Sequence, residues 1–272
     1  MRNAWKVRAA TAGCLLLWSA GVARANERHF TYTYESAVMP VGEKEIEPWV
    51  TWRTGRSRFY SEFDYRTEFE TGLTDHLLTA LYLNWHQATL EDPAVPGQKV
   101  HDQGFDGVSS EWKYKLLDPV ADPVGLALYQ EYTFQSDELV WESKLILDKQ
   151  LGKILIAYNA VVEPDWTFGP DDTHYSLNLE NDLGITRLFS PAISAGFEVV
   201  NLNEKTRTSP GLMSSAFSIG PVVTYAHENW WLGLTVLRQL PALKRSVDHP
   251  EDSLVLDTNE KFNVRIIGSI QL

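Results

Sequence analysis

Apolar and polar side chains alternate along residues 57–71. Aromatic side chains stand at Phe59, Phe63, Tyr65 and Phe69, and the positions between them carry a row of charges: Glu62, Asp64, Arg66, Glu68 and Glu70. Because successive side chains of an extended chain point to opposite sides, this pattern predicts a β-strand with one aromatic face and one charged face. A strand that crosses a membrane in a barrel needs roughly 9 to 11 residues of such alternation. We therefore expect a transmembrane barrel strand with its aromatic face toward lipid.

The same alternation recurs along the chain and is interrupted by turn-forming residues. The predicted strands number about twelve: 43–52, 57–71, 76–90, 106–117, 124–135, 138–149, 153–163, 173–186, 191–202, 214–226, 229–240 and 260–272. They predict an all-β fold, a closed antiparallel transmembrane β-barrel over residues 43–272, because closure pairs every backbone group between strands. Residues 29–35 also alternate and are left over. They lie in the lumen, pair beneath the barrel, or form the first strand of a barrel of fourteen.

The connections between these segments alternate in length. Short turns are predicted at 72–75, 118–123, 150–152, 187–191 and 227–229, and the intervening connections at 53–57, 91–105, 135–138, 164–172, 203–213 and 241–259. Short periplasmic turns and longer outer loops are typical of bacterial barrels, and an even strand count places both termini on the periplasmic side. The apolar alternation also continues to the last residue, which resembles the C-terminal assembly signal of outer-membrane barrels.

The first 25 residues predict a secretory signal peptide. Arg2, Lys6 and Arg8 precede an apolar run over residues 9–22, and small residues follow, so cleavage is expected before Asn26. The run is shorter than the about 20 residues that a helix needs to span a bilayer. Residues 26–42 are then an N-terminal segment, periplasmic or luminal, ahead of the barrel.

Composition narrows the possible partners. Removal of the signal takes away four basic residues and no acidic residue, so the formal charge changes from −12 to −16. Such a surface repels phosphate, so nucleic acid is not expected as a partner. Outer-membrane lipid is expected as a partner, with small solutes or cations as further ones, and a monomer is favoured. Cys14 lies in the signal, which leaves the exported chain without a disulfide or a cysteine metal site.

Charged side chains on the second face of the predicted strands form one set. A charge on the lipid face costs about 2 to 4 kcal/mol near the membrane midplane, so we expect this set to line the lumen. Its members are Glu62, Asp64, Arg66, Glu68, Glu70, Glu111, Lys113, Lys115, Glu131, Glu142, Lys144, Glu180, Asp182 and Glu198. Two interpretations stay open: salt-bridged ladders that fill a narrow barrel, or a water-filled path whose negative field favours cations.

Eight tryptophans lie mostly near the ends of predicted strands. They are Trp49, Trp52, Trp85, Trp112, Trp141, Trp166, Trp230 and Trp231. This placement predicts aromatic girdles at the two membrane interfaces. In a soluble β-sandwich, the alternative architecture, the same tryptophans would be core residues.

The most enzyme-like group is His174, Ser176 and Asn178, at three alternate positions on one strand face. A His-x-Ser pair on a barrel strand resembles the outer-membrane phospholipase A family, in which an asparagine orients the histidine. The resemblance implies hydrolysis of lipid acyl chains by a serine that the adjacent base activates. A solvated histidine beside an outer loop is the favoured interpretation, so no catalytic residue is assigned.

No metal site and no cofactor are predicted. The residues that come nearest to a ligand set flank or lie in the connection at 91–105, namely His86, His101, Asp102 and Asp106. Loops rich in oxygen ligands can hold calcium, but this spacing matches no specific site.

Several segments together resemble a poorly characterised group of proteobacterial outer-membrane β-barrels that are transporter-like. They are HFTYTYES, PVGEKEIEPWVTWR, GLTDHLLTALYLNW and LENDLGITRLFSPAISAGFEV. The resemblance runs over most of the mature chain, implies an outer-membrane barrel and supplies no substrate. We expect a passive channel or solute-uptake protein with an acidic, mixed-charge lumen. The alternatives are a lipid acyl hydrolase that uses the His-x-Ser pair and a nonconducting structural or adhesive barrel.

Overall fold

The computed structural model describes residues 28–272, and the predicted signal peptide lies outside them. The described chain forms twelve β-strands: β1 (Lys44–Thr54), β2 (Tyr60–Gly72), β3 (Leu77–Glu91), β4 (Lys99–Leu117), β5 (Gly125–Phe134), β6 (Glu138–Leu151), β7 (Ile154–Phe168), β8 (Thr173–Leu188), β9 (Ile193–Thr206), β10 (Ser214–His227), β11 (Trp230–Lys244) and β12 (Phe262–Gln271). Among these residues, no helix has the length and apolarity needed to cross a bilayer.

The strands close into one antiparallel barrel. Each strand pairs with its neighbours in sequence, and β1 pairs with β12, where Trp49 lies opposite Ile267. The predicted fold class is thus confirmed at twelve strands. Residues 29–35, which would have begun a barrel of fourteen, form no strand.

Two ends of the barrel are distinguished by their connections. We call the end with the connections that follow odd-numbered strands the loop end, and the opposite end the turn end. At the loop end, several strands continue beyond their predicted limits, and β4 begins at Lys99 instead of residue 106. The prediction of a loop over 91–105 is therefore wrong: Glu91 at the end of β3 still pairs with Lys99 at the start of β4. Apolar alternation gives little signal for this extension of β4, since residues 99–104 are mostly polar.

A β-bulge in β4 accompanies this extension. The pairing with β3 shifts between Leu83 and Trp85, and Gly107 adopts a φ of 85° on the opposite strand. A Cβ atom on Gly107 would lie 1.9 Å from the carbonyl oxygen of Phe134. Only glycine fits this position, because it tolerates a positive φ and brings no side chain toward β5.

The two faces of the strands are clearly different in exposure. In β2, Phe63, Tyr65 and Phe69 point outward and are exposed, whereas Glu68 and Glu70 are buried in the interior. The outer face carries stacked aromatic pairs such as Trp52 and Phe63, whose ring centroids are 6.1 Å apart. This is the arrangement that the alternation of residues 57–71 predicts.

The tryptophan girdle is only partly as predicted. Five tryptophans are exposed on the outer face: Trp52, Trp85, Trp112, Trp141 and Trp230. The prediction is wrong for Trp49 and Trp231, which are 6% and 1% exposed and belong to the interior cluster around Tyr34, Tyr82 and Tyr129. Both occupy inward positions in the strand alternation, and nearness to a strand end does not reveal this.

Candidate functional site

The N-terminal residues 28–40, here called the lumen segment, enter the barrel interior from the turn end. Phe30, Thr31, Thr33 and Ser36 are each 0% exposed although none belongs to a strand. The segment then leaves the interior, and Val41 forms an isolated bridge with Gly72 before β1 begins. Buried backbone outside a sheet needs other hydrogen-bond partners, and the barrel wall provides them.

Glu198 on β9 is the main acceptor for the lumen segment. Its carboxylate accepts hydrogen bonds from the backbone N–H groups of Thr31 at 3.2 Å, Tyr32 at 2.8 Å and Thr33 at 2.8 Å. The hydroxyl of Thr235 on β11 donates to the same carboxylate at 2.6 Å. Amide bonds to an ionised acceptor are stronger than neutral ones, so Glu198 compensates three buried donors at once.

Two further wall residues bind the segment backbone. The side-chain oxygen of Asn159 on β7 accepts the Tyr34 amide at 2.6 Å, and its nitrogen donates to the Tyr34 carbonyl at 3.0 Å. The carboxylate of Asp148 on β6 accepts the Ser36 amide at 3.2 Å. These contacts fix residues 31–36 against β6, β7 and β9.

Small residues in the wall make room for the segment. Gly184 faces Phe30, and a Cβ atom on Gly184 would lie 2.5 Å from the phenyl ring. A Cβ atom on Gly125 would likewise lie 2.2 Å from the Ser36 hydroxyl oxygen. Phe30 packs with Leu155, which together with Ala157 and Val222 completes an apolar cluster. The wall and the segment are therefore complementary in shape as well as in hydrogen bonding.

Charges hold the start of the segment. The Arg28 guanidinium donates to Glu47 on β1 at 3.0 Å and lies 4.2 Å from the centre of the Tyr34 ring. Glu35 accepts from the backbone of His29 at 2.8 Å and contacts its imidazole at 3.0 Å. Burial alone would raise the pKa of Glu35, but the charge and hydrogen bonds of His29 outweigh it and lower that pKa. Burial raises the pKa of Tyr32 to about 12, which keeps this phenol neutral.

A polar cavity of about 620 Å³, here called the vestibule, occupies the loop-end half of the barrel. Tyr32 and Tyr34 of the lumen segment form part of its lining. Nine carboxylates face it: Asp64, Asp106, Glu131, Glu138, Glu142, Glu163, Asp165, Glu180 and Glu260. Four cations face it: Arg53, Arg66, Lys144 and Arg265. The lining of the vestibule therefore contains five more carboxyl groups than basic side chains.

Ion pairs organise part of this lining. Arg53 contacts Glu62 at 2.6 Å and Asp64 at 2.8 Å. Arg66 contacts Glu131 at 3.1 Å, and Lys144 contacts Glu142 at 2.9 Å. The turn-end half of the interior is thus filled by the lumen segment, and the loop-end half contains a cavity whose lining is partly ion-paired.

The predicted lumen set divides between these two halves. Asp64, Arg66, Glu131, Glu142, Lys144 and Glu180 face the vestibule, and Glu62 pairs with Arg53 beside it. Glu68, Glu70, Glu111, Lys113, Asp182 and Glu198 are buried. Lys115 contacts Asp118 in the β4–β5 turn at 3.3 Å.

Several interior residues are absent from the predicted set. Glu45 and Glu47 begin β1 and are both 1% exposed, and they share the inward side with Trp49. The alternation of Glu45 and Glu47 with Ile46 in the sequence indicates that the two glutamates share one face of β1. Asn159 gave no such signal, because a single amide in the apolar β7 sequence does not indicate which backbone it will bind.

The enzyme-like group is not assembled by the described contacts. His174 is exposed, and the Asn178 side chain donates to Glu163 at 3.0 Å instead of orienting the histidine. Ser176 lies opposite Asp165 in the β7–β8 pairing. His86 contacts Asp106 at 2.6 Å and Asp102 at 3.6 Å as an ion pair near the loop end.

Solved structures with a similar fold are barrels of outer membranes. The COG4313 outer membrane channel from Pseudomonas putida F1 superposes with a TM-score of 0.64 at 11% identity, over 89% of this chain and 100% of that chain. The NanC porin superposes with a TM-score of 0.55 at 11% identity, over 84% and 100% of the two chains. The β domain of the Bordetella autotransporter BrkA gives 0.55 at 13% identity, over 85% and 100%. At such identities the likeness shows the fold alone.

No curated protein matches this sequence. A family model matches residues 22–271, which is almost the whole chain. The protein therefore belongs to the Family of unknown function (DUF6662).

Proposed function

We propose that this protein is an outer-membrane solute-uptake channel that prefers cationic solutes. We further propose that the lumen segment closes this channel in the conformation of the structure. The vestibule carries this proposal. It is a cavity with room for a small solute, its lining includes loop-end residues such as Gln135 and Asn259, and carboxyl groups outnumber basic side chains in that lining. A single-signed excess of charge between low-dielectric walls concentrates ions of the opposite sign.

The outer surface supports a membrane location. Large apolar side chains are exposed around the barrel, among them Leu81, Leu145, Val223, Ile266 and Ile270. A water-soluble protein rarely exposes a continuous apolar band, whereas a barrel in lipid requires one. The even strand number and the short connections at the turn end favour the periplasm for that end and the outside for the vestibule.

Passage through the barrel requires the lumen segment to move. Its backbone is bound by side chains of the wall, including Glu198 and Asn159, and not by a ladder of backbone pairs. Displacement of the segment therefore leaves the closed strand ladder of the barrel intact.

Planar-bilayer recording of the mature chain tests the proposal. Under a potassium chloride gradient, we expect conductance steps whose reversal potential indicates preference for potassium. Glu163→Gln combined with Glu180→Gln removes two vestibule carboxylates and should shift the reversal potential toward zero. Glu251→Gln in the exposed β11–β12 connection is the matched control and should not shift it. Absence of steps, both in the wild type and in variants that release the lumen segment, would favour a nonconducting structural barrel.

A further inference from the structure

Three glutamates form a buried cluster at the turn end, separate from the vestibule. Glu68 and Glu70 on β2 and Glu111 on β4 place carboxylate oxygens within 4.8 Å of one another. Their side chains are 1%, 8% and 0% exposed. We call this cluster the acidic pocket.

The strand register explains why these carboxylates meet. Glu70 lies opposite Ala80 on β3, and Ala80 lies opposite Glu111 on β4. The methyl group of Ala80 leaves space between the two longer side chains, so they approach each other above it. Glu68 is the next inward residue on β2 and reaches the same space.

Several oxygens in and beside the acidic pocket lack a hydrogen-bond donor among the described residues. Both carboxylate oxygens of Glu68 are buried without a partner, as is Oε1 of Glu111. Glu45 on β1 is a further buried carboxyl group beside the pocket. It is 1% exposed, it lies directly opposite Glu70, and neither of its oxygens receives a hydrogen bond. Buried carboxylates in this condition require a proton or a cation, because burial of an uncompensated charge is strongly unfavourable.

Two basic side chains lie near the pocket, fewer than its carboxyl groups. Arg28 donates to Glu47, which also accepts the indole N–H of Trp49 at 2.9 Å. Lys113, two residues from Glu111, is buried on the same face of β4. The five buried carboxyl groups of this region, Glu45, Glu47, Glu68, Glu70 and Glu111, therefore outnumber the two buried basic side chains, Arg28 and Lys113.

We propose that the acidic pocket binds one calcium ion. Calcium takes six to eight oxygen ligands at about 2.3 to 2.6 Å, so two ligands on opposite sides of the ion lie at most about 5 Å apart. The carboxylate oxygens of the pocket, which lie within 4.8 Å of one another, satisfy this limit. Three carboxylates that bind in bidentate fashion supply up to six oxygens. Magnesium keeps several waters and demands octahedral geometry, which suits this closed, oxygen-only pocket less well.

The ion would join β2 to β4 across β3 at the end of the barrel that the lumen segment enters. Glu45, directly opposite Glu70, adds a fourth carboxyl group beside the site. The proposal does not depend on the transport function, since it rests on the pocket alone.

Calcium binding to the full mature chain tests this proposal. The protein is unfolded in urea, stripped with a chelator, and refolded into detergent with or without calcium. Equilibrium dialysis should give one tightly bound calcium per chain, and calcium should raise the melting temperature, because a ligand that binds only the folded state stabilises it. An equal concentration of magnesium should not displace it. No bound calcium above the chelated background in the wild type would overturn the proposal and indicate carboxyls that share protons.

Variants locate the site. Glu68→Gln and Glu111→Gln should each weaken calcium affinity by about 100-fold or more, because each variant alters a direct ligand. Loss of a residue that only supports a ligand typically weakens metal affinity by about 10- to 100-fold. The described chain offers one other grouping of three possible ligands, the exposed His249, Glu251 and Asp252. Glu251→Gln is therefore the matched control and should leave affinity unchanged. Gel mobility before and after boiling reports folding of each variant. Undiminished binding by a folded Glu68→Gln variant would contradict the assignment.

Discussion

Asn159 binds both backbone polar groups of Tyr34, accepting from its amide at 2.6 Å and donating to its carbonyl at 3.0 Å. A side chain of the barrel wall thus does for the lumen segment what a neighbouring strand does in a sheet. Both residues are buried, so neither Tyr34 group has ready access to water as a substitute. This contact makes the position of the segment specific.

Asn159→Ala should loosen the lumen segment without opening the barrel ladder. It leaves one buried donor and one buried acceptor of Tyr34 unpaired, at about 1 to 3 kcal/mol for each group that water does not reach. Hydrogen–deuterium exchange should accelerate for residues 31–36, while exchange in the strands stays unchanged. Uniform acceleration across the whole chain would instead indicate general destabilisation of the barrel.

Gly184→Ala should displace Phe30 by steric overlap. The added Cβ atom would lie 2.5 Å from the Phe30 ring, well inside van der Waals contact. Gly184→Ala should therefore lower the free energy of unfolding, and Phe30→Leu in the same chain should relieve most of this loss. A double-mutant cycle measures the relief as a coupling free energy between the two positions. Gly211→Ala is the control, because a Cβ atom there meets nothing within 4 Å. Equal effects of Gly184→Ala in both backgrounds would show that Phe30 does not occupy this site.

Acid should weaken the hold on the start of the lumen segment. The pKa of Glu35 is lowered from its ordinary value of 4.5 because the attraction and hydrogen bonds of His29 outweigh burial. A carboxyl group whose pKa is lower in the folded state than in the unfolded state stabilises the fold when it is ionised. This stabilisation is complete above about pH 4.5 and is lost as the pH falls through the folded-state pKa. Protection of residues 28–36, measured relative to the intrinsic exchange rate at each pH, should therefore fall below pH 4.5 in the wild type. In Glu35→Gln the segment should be looser at neutral pH, and this acid step should be absent.

The strands and their faces could be predicted from the sequence because period-two alternation is a local signal. A position in the lumen was one of three alternatives for residues 29–35, and the sequence could not decide among them. Phe30, Tyr32 and Tyr34 alternate as a strand would, and the partners Gly184 and Glu198 lie more than 150 residues away. The burial of Trp49 could have been predicted, because Trp49 stands an even number of residues from Glu45 and Glu47 and shares their strand face. The role of Glu198 could not be predicted, because any inward carboxylate gives the same pattern.

A cationic substitution on the outer face tests the membrane assignment. Leu145 is exposed in the middle of β6 and belongs to the apolar band. Leu145→Arg should lower the free energy of unfolding in lipid vesicles by about 2 to 4 kcal/mol if this position lies near the midplane. Gln103→Arg, on the exposed outer part of β4, should cost less than about 1 kcal/mol, as expected near or beyond the interface. Equal costs at the two positions would argue against an apolar band in lipid.

The central claim is that the lumen segment closes the channel, and single-channel recording of one double variant tests it most directly. Glu198→Gln with Asn159→Ala weakens the two principal contacts of the segment, and hydrogen–deuterium exchange first establishes that residues 31–36 are released while the strands remain protected. We predict a higher open probability or larger conductance steps than in the wild type, with preference for cations retained. A released segment with conductance and open probability equal to the wild type would contradict the claim.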